Sequence, residues 1–167
     1  MSHYKSMMNK KYLIAYFSKT QSTEKIAKEL ANILNANLFR IKEKVEYKPE
    51  DINWTVEDCR ANRENNDPDC RPEIQDDKLP DDFDILLLGF PLWWGEPPKV
   101  IRTFLEKNEA LLQSKKIVIF CTSQMTPIYQ AQMNLRYGYP KFHFISGAKL
   151  NNYGPEQIKA WTKTFDR

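Results

Sequence analysis

A chain of 167 residues has room for one domain with a sizeable core, and a second full domain is not expected. At 41% hydrophobic and 28% charged residues it is too apolar for general disorder, while no apolar run approaches the roughly 20 residues of a membrane-spanning helix. The formal net charge of +3 is mild and Lys and Arg are interleaved with Asp and Glu, so neither nucleic acid nor a membrane is indicated as a partner.

Residues 1–10 carry neither the apolar core nor the cleavage site of a secretory signal and read as a short disordered lead-in, leaving 11–167 as a single domain and a cytoplasmic location as the expectation. The first strand is expected over Tyr12–Phe17. A helix follows over Thr23–Leu34, where Ile26, Ala27, Leu30, Ala31 and Leu34 recur at helical spacing. Asn37–Lys42 alternates like a strand at a sheet edge. The polar segment 43–82 holds Pro49, Pro68, Pro72 and Pro80; it is too long for an ordinary connection and predicts one helix over Val56–Asn65 between loops that cover part of a site. Phe83–Gly89 is nearly continuously apolar, as a strand buried on both faces should be.

A helix over Lys99–Glu106 is opened by Pro97-Pro98. A fourth strand is expected over Lys116–Cys121, a helix over Ile128–Arg136, a fifth strand over Lys141–Ser146 and a last helix over Pro155–Phe165. This alternation predicts an α/β fold, a three-layer open parallel sheet of five strands with helices on both faces. Ligands of such sheets bind outside the carboxyl ends of the strands, which directs attention to the loops after strands one, three and four.

The first of these loops, Ser18-Lys-Thr-Gln-Ser-Thr23, places four hydroxyls where a strand hands over to a helix. A helix N-terminus offers unpaired N–H groups and a positive dipole end, which hydroxyls can complete into a phosphate cradle. An N-cap by Ser22 or Thr23 is the simpler account, but it uses one hydroxyl only. In the second loop, Gly89-Phe-Pro-Leu-Trp-Trp-Gly-Glu-Pro-Pro98, adjacent indoles point to different sides, so at least one is expected at the surface as a stacking platform for a planar ring. The alternative is that both only cover the following helix. The third loop, Cys121-Thr-Ser-Gln-Met-Thr-Pro127, offers hydroxyls and amides to the polar edge of a heteroaromatic ring.

These three motifs, with Arg71-Pro72 ahead of strand three and the late Trp161, resemble the short flavodoxin-like family, whose loops follow YFSxTGNT, GxPxWWG and TSGG patterns. The resemblance runs from about Lys11 to Phe165. It implies strand order 2-1-3-4-5 with flavin mononucleotide (FMN) at the switch point between strands one and three, as flavodoxins themselves exemplify. By matching position, Ser18, Thr20, Ser22 and Thr23 would hold the phosphate together with the backbone N–H groups from Lys19 through Gln21 to Thr23, and the Lys19 ammonium would meet the dianion. Pro91, Leu92, Trp93 and Trp94 would lie along the isoalloxazine, and Thr122, Ser123 and Gln124 along its other edge. Where the family pattern has Gly-Asn this chain has Gln21-Ser22, and where it has Gly-Gly this chain has Gln124-Met125.

The implied function is electron transfer to a redox protein or reduction of a small acceptor such as a quinone. Mild basicity leans away from a dedicated carrier, a type usually strongly acidic. A binding or interaction module that keeps the fold and has lost tight FMN binding stays open. Other users of this architecture are excluded: a phosphoacceptor receiver needs carboxylates at the ends of strands one and three, where this chain has Phe17-Ser-Lys and Gly89-Phe-Pro. A small tyrosine phosphatase needs an Arg where Pro127 follows Cys121. His3 and His143 are the only histidines, so histidine-based catalysis or a metal cluster is not supported. Cys59, Cys70 and Cys121 lack metal or disulfide spacing and are expected as reduced thiols, with a Cys59/Cys70 pair the alternative.

Overall fold

The computed structural model describes residues 10–165. Five parallel strands, β1 (Tyr12–Tyr16), β2 (Asn37–Arg40), β3 (Ile85–Pro91), β4 (Lys116–Thr122) and β5 (His143–Lys149), form one sheet in the order β2-β1-β3-β4-β5. This is the arrangement expected from the sequence. Except for Lys10, the predicted lead-in lies outside the described residues.

Alternating side chains of the central strands feed two cores, because a strand points successive residues to opposite faces. On one face Ile14, Leu87, Val118 and Phe120 meet Ile26, Ala27 and Leu30 of α1 (Ser22–Leu34). Ile158 and Trp161 of α6 (Pro155–Thr162) complete that core. On the other face Ala15, Leu86, Leu88 and Ile119 meet Val100, Ile101 and Phe104 of α3 (Lys99–Lys107) and Ala131 and Leu135 of α5 (Tyr129–Gly138). The short helix α4 (Glu109–Leu112) adds Leu112 to this second core.

The polar segment 43–82 also lies on the second face, anchored by buried Tyr47 and Ile74 and by a bridge between Glu43 and Ile74. Its helix, α2 (Arg60–Asn65), is shorter than the predicted 56–65, because Cys59 serves as N-cap, its Sγ accepting the Asn62 N–H at 3.4 Å. A 3₁₀ turn over Pro49–Ile52 precedes it. β5 begins and ends later than predicted, since its pairing with β4 runs on to Lys149 opposite Cys121. Phe165, expected inside the last helix, lies beyond α6 yet still packs against Trp161 with ring centroids 4.9 Å apart.

Candidate functional site

β1 delivers the chain into Ser18, which is buried, and its Oγ accepts the Glu24 N–H at 3.2 Å. The hydroxyl that serves the first turn of α1 is therefore Ser18, not Ser22 or Thr23 as the simpler sequence account held. The N-cap position is Gln21, with φ 70° and ψ −15° and no side-chain capping bond; its carbonyl accepts the Lys25 N–H at 2.9 Å. A left-handed backbone is one that glycine adopts without cost, and here a glutamine adopts it. Thr23 is buried, its hydroxyl 2.9 Å from that of Thr122, which ties the start of α1 to the end of β4. Two of the four hydroxyls are thus internal, and those of Thr20 and Ser22 lie exposed beside the helix N-terminus.

Around this loop the charges are arranged by ion pairs. Arg40 reaches the Glu24 carboxylate at 2.7 Å and the Ser18 carbonyl at 3.4 Å, clamping the loop to the edge strand. The Lys19 ammonium, expected to meet the phosphate, sits 3.0 Å from the Glu43 carboxylate and 3.8 Å from that of Glu46. Glu43 is itself buried and accepts the Tyr47 N–H at 3.1 Å. Lys19 therefore braces the loop against the 43–82 segment.

The second loop turns tightly at Trp94-Gly95, with Trp93 and Glu96 exchanging backbone hydrogen bonds at 2.8 and 3.0 Å. Both central residues are left-handed, φ 55° at Trp94 and 77° at Gly95, the pattern of a type I′ turn. A Cβ at Gly95 would come within 3.2 Å of the Thr126 side chain, so a side chain there would be strained by its positive φ and tightly packed. This turn separates the two indoles. Trp93 is held edge-on by Phe17 and Tyr47, with centroids 5.8 and 5.4 Å away, while Arg60 stacks 3.8 Å over the Tyr47 ring. Trp94 is 43% exposed, as expected of one of the pair. Glu96 joins the turn to α5 by accepting the side-chain amides of Gln130 and Asn134 on one oxygen; its other oxygen is buried and finds no hydrogen-bond partner among the described residues.

In the third loop Thr122 is buried at the end of β4. The Ser123 N–H donates to Asn151 Oδ1 at 3.1 Å, and the Ser123 hydroxyl accepts the Thr126 N–H at 3.0 Å. Gln124 and Met125 do not take the left-handed conformation that glycines there would permit: among the described residues the non-glycine positions with positive φ are Gln21, Asn35 and Trp94.

The three loops close on one cleft of about 370 Å³. It gathers Lys19, Thr20 and Ser22 from the first, Pro91, Leu92 and Trp93 from the second, and Thr122, Ser123 and Gln124 from the third. Of the other candidates, Ser18 and Thr23 are buried behind the loop, Gln21 sets its turn from the exposed N-cap position, and Trp94 lines an adjoining apolar pocket of about 440 Å³ with Trp54, Ile52 and Leu92. Three lining residues were not anticipated: Ile52, Trp54 and Asn151. Trp54 had a visible signal, an indole in an otherwise acidic and amide-rich stretch, and it is 69% exposed at the cleft.

Hydroxyls at a helix N-terminus beside aromatic walls fit a ligand with a phosphate at one end and a flat ring at the other. Nucleophile and metal chemistry find no comparable support among the described residues. No group of three metal-ligating side chains occurs there. All three cysteines are free thiols; burial pushes Cys121 up to about 12, and Cys70 is also raised, first by burial and then by nearby Glu64. No helix among the described residues is long and apolar enough to cross a membrane.

Comparison with known proteins gives a family and a fold. A sequence model of a flavodoxin family matches residues 11–165. A candidate flavoprotein of Bacteroides eggerthii is 32% identical, with 95% of this chain and 99% of that chain covered and a TM-score of 0.90. A candidate flavoprotein of Bacteroides uniformis is 30% identical, over 93% of this chain and 99% of that one, with a TM-score of 0.87. A Lactobacillus acidophilus flavoprotein, solved in complex with FMN, shares the fold at 22% identity, over 92% and 99% of the two chains, with a TM-score of 0.69. No curated protein matches the chain.

Proposed function

The chain belongs to the flavodoxin family, and from that premise we propose that it binds FMN in the three-loop cleft and passes electrons to a redox protein or to a small acceptor such as a quinone. The observation that carries this reading is the convergence of a hydroxyl-lined helix N-terminus, an indole wall and an amide-lined loop on one cleft. When bound, the flavin would supply the electron chemistry, which explains why the site needs no nucleophile, metal or histidine of its own.

The chain's residues have the complementary work. Thr20 and Ser22 hydroxyls and the first N–H groups of α1 would donate to the phosphate oxygens, where the helix dipole also favours negative charge. Trp93, locked by Phe17 and Tyr47, would fix the plane against which a ring packs and exclude water from that side. Gln124 and the Ser123–Asn151 pair would face the polar rim. Trp94 and Trp54, both exposed, leave an apolar approach for a flat acceptor.

One observation favours the second reading, a flavodoxin fold without tight flavin binding: the Lys19 charge is already taken by Glu43. The two readings separate on the purified protein. A flavin absorbance spectrum, or quenching of added FMN with a rise in melting temperature, is expected. A colourless protein that neither quenches FMN nor gains thermal stability in its excess would refute the cofactor assignment.

A further inference from the structure

The helix α5 departs from the usual layout of a surface helix, which buries one apolar stripe and turns polar side chains to the solvent. Its inner face is spent as expected, with Ala131 and Leu135 buried in the second core. Its flanks are held as well. On one side Gln130 and Asn134 donate to the Glu96 carboxylate, and on the other Gln132 lies over Gly147 of β5, where an added Cβ would meet it at 2.1 Å. The outermost positions are Tyr129, Met133 and Tyr137, which are 67%, 44% and 86% exposed. They follow one another at four-residue spacing and so form a single ridge about 12 Å long.

Tyrosine and methionine are among the residues enriched in the centres of protein interfaces. At roughly 200 Å² for an aromatic side chain, the ridge shows about 400 Å² of mostly apolar surface, a patch of the size that often has a function on a monomer. A standard interface takes about 800 Å² from each partner, somewhat more than half of it apolar, so the ridge supplies most of its apolar centre and the polar flanks its rim. Charge does not choose the partner, since α5 carries one charged side chain, Arg136. The order of the ridge does: Tyr129-Met133-Tyr137 reads the same in both directions, so an antiparallel copy of the helix meets it with matching side chains.

We propose that α5 is the contact of a two-fold symmetric homodimer. Met133 sits on the axis against Met133 of the second copy, and each Tyr129 packs beside Tyr137 of the other. Ridges of i±4 spacing interdigitate at a crossing angle of about 50°, the commonest helix pairing in globular proteins. The antiparallel order also sets the positive end of each helix dipole near the negative end of the other. A two-fold contact uses the same surface on both copies and closes at two. The sheet edge takes no part, because the register of β5 against β4 shifts at Ile145 and such an irregular edge resists strand pairing. None of the three ridge residues lines the three-loop cleft, and the proposal does not rest on flavin binding.

The test is sedimentation velocity of the full chain between about 1 and 100 μM. A species of twice the chain mass is expected, growing with concentration. Met133→Glu sets two carboxylates against each other at the axis and should raise the dimer dissociation constant at least about hundredfold, with an unchanged circular dichroism spectrum verifying the fold. Tyr129→Lys combined with Tyr137→Lys should have the same effect. Tyr129→Lys combined with Tyr137→Glu should restore the dimer, because each lysine then faces a glutamate of the other copy, and added salt should weaken that dimer. A chain that stays monomeric throughout the range overturns the proposal. So does a dimer that Met133→Glu leaves intact, and so does a lysine–glutamate variant that dimerises no better than the lysine–lysine one.

Discussion

Replacing Gln21 by glycine should stabilise the protein without tightening its hold on FMN. Gln21 sits at φ 70° with an exposed side chain that makes no capping bond, so the glutamine gains nothing local in exchange for its conformation. A side chain in the left-handed region costs about 1–2 kcal/mol. Glycine removes that cost but loosens the unfolded chain by about 0.4–1 kcal/mol. The net gain for Gln21→Gly lies between about 0 and 1.5 kcal/mol, which for a chain of this size corresponds to a rise in melting temperature of up to about 5 °C. Alanine keeps the strain, so Gln21→Ala should stay within about 0.5 kcal/mol of the parent.

Because the ligand-free loop already holds the left-handed turn, the strain is common to free and loaded protein and cancels from the binding equilibrium. FMN affinity should therefore change by no more than about twofold, since a tenfold change needs about 1.4 kcal/mol. Urea unfolding of the flavin-free variants measures the first effect, and fluorescence titration the second. A glycine variant no more stable than the alanine variant would refute the strain. A tenfold gain in affinity without a gain in stability would show that the free loop is not left-handed and closes only around the ligand.

Three further substitutions and one reagent probe the same structure. Trp94→Ala removes an exposed indole and should leave the urea midpoint nearly unchanged, whereas Trp93→Ala dismantles the Phe17–Tyr47–Trp93 cluster and should destabilise by about 3 kcal/mol; equal effects on stability would contradict the different settings of the two rings. A Cβ at Gly89 would lie 2.1 Å from the Phe120 ring, so Gly89→Ala should cost at least about 2 kcal/mol, and a melting curve matching the parent's would disprove that packing. At pH 8 a thiol reagent should titrate Cys70, which is partly exposed, before Cys121, because burial holds Cys121 in its neutral form up to about pH 12; rapid native-state labelling of Cys121 would refute that burial.

Much of this was legible from short-range pattern. Apolar runs and helical spacing depend on neighbouring residues, so five strands, their connecting helices and the loops that bear the site could be read in order, and the strand order came with the family likeness of the loop motifs. What the pattern left open falls where distant residues intervene. The loop hydroxyls were visible as a group, but that Thr23 is spent was decided by Thr122, ninety-nine residues away in sequence. Lys19 read as a phosphate ligand because its carboxylate partner, Glu43, comes beside it only when the 43–82 segment folds over the sheet.

The sequence by itself determined the architecture, the three loops and the substitution of glutamine for glycine in the first, since each is a local property of residue type and spacing. Tertiary structure alone decided that Gln21 accepts the left-handed turn, that Trp93 is held fixed between Phe17 and Tyr47 while Trp94 is exposed, and that Trp54 and Asn151 join the cleft. The reason is physical: a side chain's role depends on what packs against it, and here those partners come from strands and loops that only the folded sheet brings together.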